Sequence, residues 1–91
     1  MISVGIDVSK GKSMVAIFKL YGEILARPFE VAHTEQELHD LSAMILRFHD
    51  EVRVVLEATG IYHLPVVHYL KQQGIFVCVI NQAKITTGKD G

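Results

Sequence analysis

Two carboxylates are placed where they can do chemistry. Asp7 ends a stretch in which Ile2, Val4, Ile6 and Val8 alternate with Ser3, Gly5, Asp7 and Ser9, the two-residue period of a strand. Glu57 directly follows Val52-Arg53-Val54-Val55-Leu56, a β-branched run too brief for a helix. If the two runs are neighbouring parallel strands, about 4.8 Å apart, carboxylates at their matching ends can approach one hard cation, Mg²⁺ or Mn²⁺. Such ions activate water and stabilise the leaving oxygen in phosphodiester cleavage, a task that normally recruits more than two protein carboxylates. Asp90 is a further acid, but its glycine-flanked setting gives it no defined place. Taken singly, Asp7 is also explained as a turn former and Glu57 as a carboxylate near a helix N-terminus.

The remaining reactive side chains carry weaker signals. Lys10 and Lys12 follow the first strand and Lys84 the last, so all three fall on the rim of the carboxylates, either meeting phosphates or standing solvated. Thr59 suits a helix cap. Tyr62 lacks the base and arginines that a covalent nucleophile requires and is assigned to packing, and Ser9 has no paired histidine. His33, His39, His49, His63 and His68 show no metal spacing and read as surface or half-buried. Cys78, inside an apolar run, reads as a small packed hydrophobe.

The elements that must hold Asp7 and Glu57 follow from the rest of the chain. With 91 residues, 49% of them hydrophobic, and a formal charge of −1, the sequence encodes one folded domain rather than a disordered segment. The longest apolar run, residues 75–80, is far short of the ~20 needed to cross a bilayer. A single cysteine excludes an intrachain disulfide and fits a reducing cytoplasm. Near-zero net charge argues against binding nucleic acid by bulk electrostatics.

The polar loop Ser9-Lys10-Gly11-Lys12 reverses the chain into a second strand at 14–18, and Tyr21-Gly22-Glu23 reverses it into a third at 24–32. Pro28 lacks a ladder donor and so puts that third strand at an edge. Thr34-Glu35-Gln36-Glu37 is a capping box in which hydroxyl and carboxylate satisfy each other's backbone donors. Leu38, Leu41, Met44, Ile45 and Phe48 then form one apolar helical stripe. After the fourth strand, Glu57-Ala58-Thr59-Gly60 turns into a second helix containing Val66, Val67 and Leu70, with Pro65 near its start and Gly74 at its end. Residues 75–80 are the fifth strand; residues 1–81 form the core and 82–91 a polar tail.

The order β-β-β-α-β-α-β predicts an α/β domain with a five-stranded mixed sheet, order 3-2-1-4-5. Both right-handed crossovers step the same way, so both helices lie on one face and the other is left bare. Strands two and five are nonetheless apolar at successive positions, which calls for a cover on that second face.

Three strings, Gly5-Ile6-Asp7-Val8-Ser9-Lys10, Glu57-Ala58-Thr59-Gly60-Ile61-Tyr62 and Val79-Ile80-Asn81, together resemble the N-terminal part of the DEDD transposases. These insertion-sequence recombinases include the pilin gene inverting protein. The resemblance implies an RNase H-like (RuvC-like) fold similar to Holliday-junction resolvases, with four acidic residues on divalent metal. By that resemblance Asp7 and Glu57 are the first Asp and the Glu of the tetrad, and two more Asp belong beyond the fifth strand. It further implies DNA as substrate, guide RNA as a partner of the complete enzyme, and a second domain with a serine nucleophile. Gln82 stands where the family has proline. The chain is thus expected to be the front of a transposase, binding Mg²⁺ weakly and inactive alone. Two other readings stand beside it. One is a non-catalytic assembly or regulatory module that forms homo-oligomers through the uncovered face or the strand-five edge. The other is an actin-like or sugar-kinase phosphate-binding domain, which would need a phosphate turn that Val8-Ser9-Lys10 does not supply.

Overall fold

A computed structural model describes residues 1–58 and 60–81. Its elements are β1 (Ile2–Ser9), β2 (Lys12–Lys19), β3 (Ile24–Ala32), α1 (Glu35–Arg47), β4 (Val52–Ala58), α2 (Leu64–Gln72) and β5 (Val77–Asn81), with a short 3₁₀ turn at Leu20–Gly22. They build one five-stranded sheet in the order β3-β2-β1-β4-β5. β1 pairs antiparallel with β2 and parallel with β4, and β4 pairs parallel with β5, the pairings that a tight hairpin and two helical crossovers allow. No described helix is long and apolar enough to cross a membrane.

The meander is tighter than its composition indicates. β1 and β2 pair from Ser9↔Lys12 onward, so the turn is only Lys10-Gly11, with Gly11 at φ 78° where a side chain would be strained. At the next reversal Tyr21 and Gly22 both take positive φ, 72° and 83°. The β2–β3 register shifts between Val15↔Phe29 and Ile17↔Ala26, leaving Arg27 and Pro28 as a bulge where the missing proline N–H breaks no ladder bond.

One face of the sheet is the core. Val4, Val15, Leu56, Val66 and Leu70 are fully buried where β1, β2 and β4 meet the helices. At the start of α1, Thr34 Oγ1 accepts from the Glu37 N–H at 3.3 Å. The return bond departs from the expected box: the Glu37 carboxylate accepts from the N–H of Ala32 at 2.8 Å rather than from the cap residue itself. It therefore ties the last residue of β3 to the first turn of the helix. α2 begins one residue before Pro65 and ends in a Schellman motif, with Gly74 at φ 84°, its N–H on Lys71 O at 2.9 Å and the Ile75 N–H on Leu70 O at 3.0 Å.

That C-terminal motif corrects the fifth strand. Because the Ile75 N–H is consumed in closing the helix, Ile75 and Phe76 serve as its exit and the ladder begins at Val54↔Val77. β4 is longer than expected, reaching Ala58, so Glu57 lies within the strand instead of after it.

Candidate functional site

Strand registry assembles the site. On the face away from the helices, Glu30 of β3 stands opposite Met14 of β2, Met14 opposite Asp7 of β1, Asp7 opposite Glu57 of β4, and Glu57 opposite Ile80 of β5. One row thus crosses the whole sheet, with the two expected carboxylates as neighbours on its central parallel pair. Both are exposed, because period-two alternation sends them away from the helices while Ile6, Val8, Leu56 and Ala58 go under them. They line an open cavity of about 280 Å³ together with Gly5, Met14, Val55 and Ile80. A Cβ at Gly5 would meet nothing within 4 Å, so the floor beside Asp7 is open.

The donor chemistry fits a hard divalent cation: two carboxylates at adjacent strand positions offer only oxygen, and the cavity leaves room for water to complete a shell. Among the described residues no group of three or more His, Cys, Asp or Glu is gathered closely enough to hold a metal. Registry brings Asp7 and Glu57 together as a pair on the open face. Asp90, Lys84 and Thr59 lie outside the described residues.

The lysines divide. Lys10 is exposed at the turn, and Lys12 at the start of β2 shares a smaller cavity of about 110 Å³ with Asp7, Ser9 and Glu30. The Lys12 ammonium is paired, with Glu30 Oε2 at 3.6 Å.

Two side chains are placed otherwise than their sequence setting indicates, and His33, half-buried as expected, gains a partner that its setting does not reveal. Cys78 is exposed, since its registry with Val55 sends it to the uncovered face. Tyr62 is 44% exposed, and it stands with the still more exposed Ile61 and Leu64 at the approach to α2 instead of in the core. His33 does have a partner: its Nε2 is 2.7 Å from Ser13 Oγ, a buried hydroxyl on the helix side of β2. Burial lowers the pKa of His33 from its ordinary value of 6.5. With the His33 N–H on Gly11 O at 3.0 Å, this pair clamps the β1–β2 turn against the end of β3. The residues are twenty apart in sequence, so only the hairpin registry reveals them. Glu30, in the carboxylate row, was hidden for the same reason, since the bulge at Arg27 and Pro28 shifts the count along β3.

Comparison with known proteins bears on fold and family. The sequence pattern of the DEDD transposases, described as "Transposase", fits residues 4–90. No curated protein matches the chain in sequence. Among solved structures, Thermus thermophilus RuvC superposes with a TM-score of 0.56 at 16% identity, over 89% of this chain and 62% of that one. Archaeoglobus fulgidus Pelota gives 0.57 at 14% identity, over 87% of this chain and 26% of that one. The chain therefore spans under two thirds of either protein. At these identities the likeness establishes the fold, an RNase H-like mixed sheet, and nothing of activity.

Proposed function

The chain belongs to the DEDD transposase family, and from that premise we propose that Asp7 and Glu57 hold a Mg²⁺ or Mn²⁺ ion for DNA strand cleavage and transfer. The observation that carries this reading is the Asp7↔Glu57 registry on adjacent parallel strands of the open face. When bound, the ion supplies a polarised water and charge stabilisation for a departing phosphodiester oxygen. The two carboxylates orient it from the rigid centre of the sheet, a firmer platform than a loop. In this reading Lys10, exposed at the turn, meets backbone phosphates on the same rim. The remaining ligands of the centre and any guide-RNA contact are assigned to other parts of a complete enzyme. Two carboxylates with a mostly aqueous shell bind such ions weakly, so this chain by itself is proposed to be inactive. The lone thiol, Cys78, fits a reducing cytoplasm.

A titration with Mn²⁺ followed by NMR line broadening tests the assignment. Broadening centred on residues 6–8 and 56–58 is expected in the wild type and is expected to vanish in Asp7→Asn. Uniform or absent broadening would remove the metal role.

A second reading has its own observation. Met14 is 46% and Ile80 40% exposed on the uncovered face, so apolar side chains surround the carboxylates. A non-catalytic assembly role through that face or the β5 edge predicts concentration-dependent dimers in sedimentation, with no localised Mn²⁺ effect.

A further inference from the structure

Lys12 stands between two carboxylates. Its registry partners are Ser9 on β1 and Ala32 on β3, while Asp7 and Glu30 are each opposite Met14, two residues further along β2. Both acids are thus diagonal neighbours of Lys12 on the same face of the sheet. Diagonal positions across antiparallel strands lie about 7–8 Å apart, within reach of a long side chain. Lys12, Asp7 and Glu30 also line one small cavity. The ammonium has two carboxylates to choose from, and it sits with Glu30, at 3.6 Å.

We propose that Glu30 is a positioning residue that holds the Lys12 ammonium on the β3 side and so keeps the Asp7 carboxylate available to a divalent cation. This rests on the reading of Asp7 as a metal ligand. An ammonium seated on Asp7 would compete with the cation for the same oxygens and add a repelling charge beside it. The bulge at Arg27 and Pro28 contributes by setting the registry that brings Glu30, not its neighbours, opposite Met14. Both partners are more than half exposed, so the competition is screened and its effect is modest.

The test compares Mn²⁺-induced broadening at residues 6–8 in the full chain, in Glu30→Gln and in the double variant Glu30→Gln with Lys12→Met. Glu30 lies exposed on the edge strand, and an unchanged amide spectrum away from β3 verifies the fold of each variant. Glu30→Gln is expected to raise the Mn²⁺ concentration for half-maximal broadening about twofold to fivefold, the range that exposed ion pairs support. The double variant is expected to return it to the wild-type value or below. Wild-type broadening with no change in Glu30→Gln overturns the role of Glu30 and leaves the metal reading intact. A shift that persists in the double variant overturns it as well, because Lys12 would then not be the competitor. No broadening at residues 6–8 in the wild type removes the metal reading and this inference together.

Discussion

The two faces of the sheet are made by the same strands and differ in everything else. Toward the helices, Ile6, Val15 and Leu56 are at 2%, 0% and 0% exposure; toward the open side, their immediate neighbours include Asp7, Met14 at 46% and Glu57. Side-chain alternation lets β1 and β4 contribute to the core with even-numbered residues and to the carboxylate pair with odd-numbered ones. The contrast teaches how a small domain can carry charge at its centre. Asp7 and Glu57 remain hydrated, so the sheet need not bear the several kcal/mol that burying an uncompensated carboxylate would cost. Stability is drawn from one side and charge is displayed on the other.

The largest expected effect tests that division directly. Leu56→Ala removes a fully buried side chain and is expected to cost about 2–5 kcal/mol in urea denaturation, against about 1 kcal/mol or less for Val55→Ala on the open face. Similar losses at these adjacent residues would mean that the open face is covered in solution. Next in size is Ser13→Ala, which deprives His33 of its partner on the helix side and is expected to cost about 1 kcal/mol. An unchanged midpoint would show that the clamp on the β1–β2 turn rests on the His33 backbone bond alone. The smallest effect is a pH dependence. Because burial lowers the pKa of His33, the unfolded chain binds the proton more readily than the folded one. Stability is therefore expected to fall as pH drops through 6.5 and to level off once the folded histidine also protonates. Denaturation curves of His33→Gln should lack this component, and an identical slope in that variant would assign it to other groups.

The sheet was legible from the sequence because its determinants are local or topological. Alternation in β1, Pro28 in β3, the Thr34 cap and the same-direction crossovers suffice for the strand order and for one bare face. The adjacency of Asp7 and Glu57 follows from that order. What sequence concealed depends on exact registry and on competition for backbone donors. The end of α2 claims the Ile75 N–H and delays β5, and the Val55 registry then turns Cys78 outward. Ser13 with His33, and Lys12 with Glu30, are partners across hairpins whose count is altered by a bulge. Tyr62, assigned to packing because no base or arginines accompany it, lies instead at the exposed approach to α2.

The parallel pairing of β1 with β4 also sets an order of assembly. β1, β2 and β3 are joined by short reversals and can pair as soon as they have left the ribosome. β4 can join β1 only after the whole of α1 has been made and the long intervening loop has been closed, which costs chain entropy before any contact repays it. Asp7 and Glu57 therefore meet late, when most of the meander and its helix already exist. A nascent chain cannot bring the two carboxylates together before its core has begun to form.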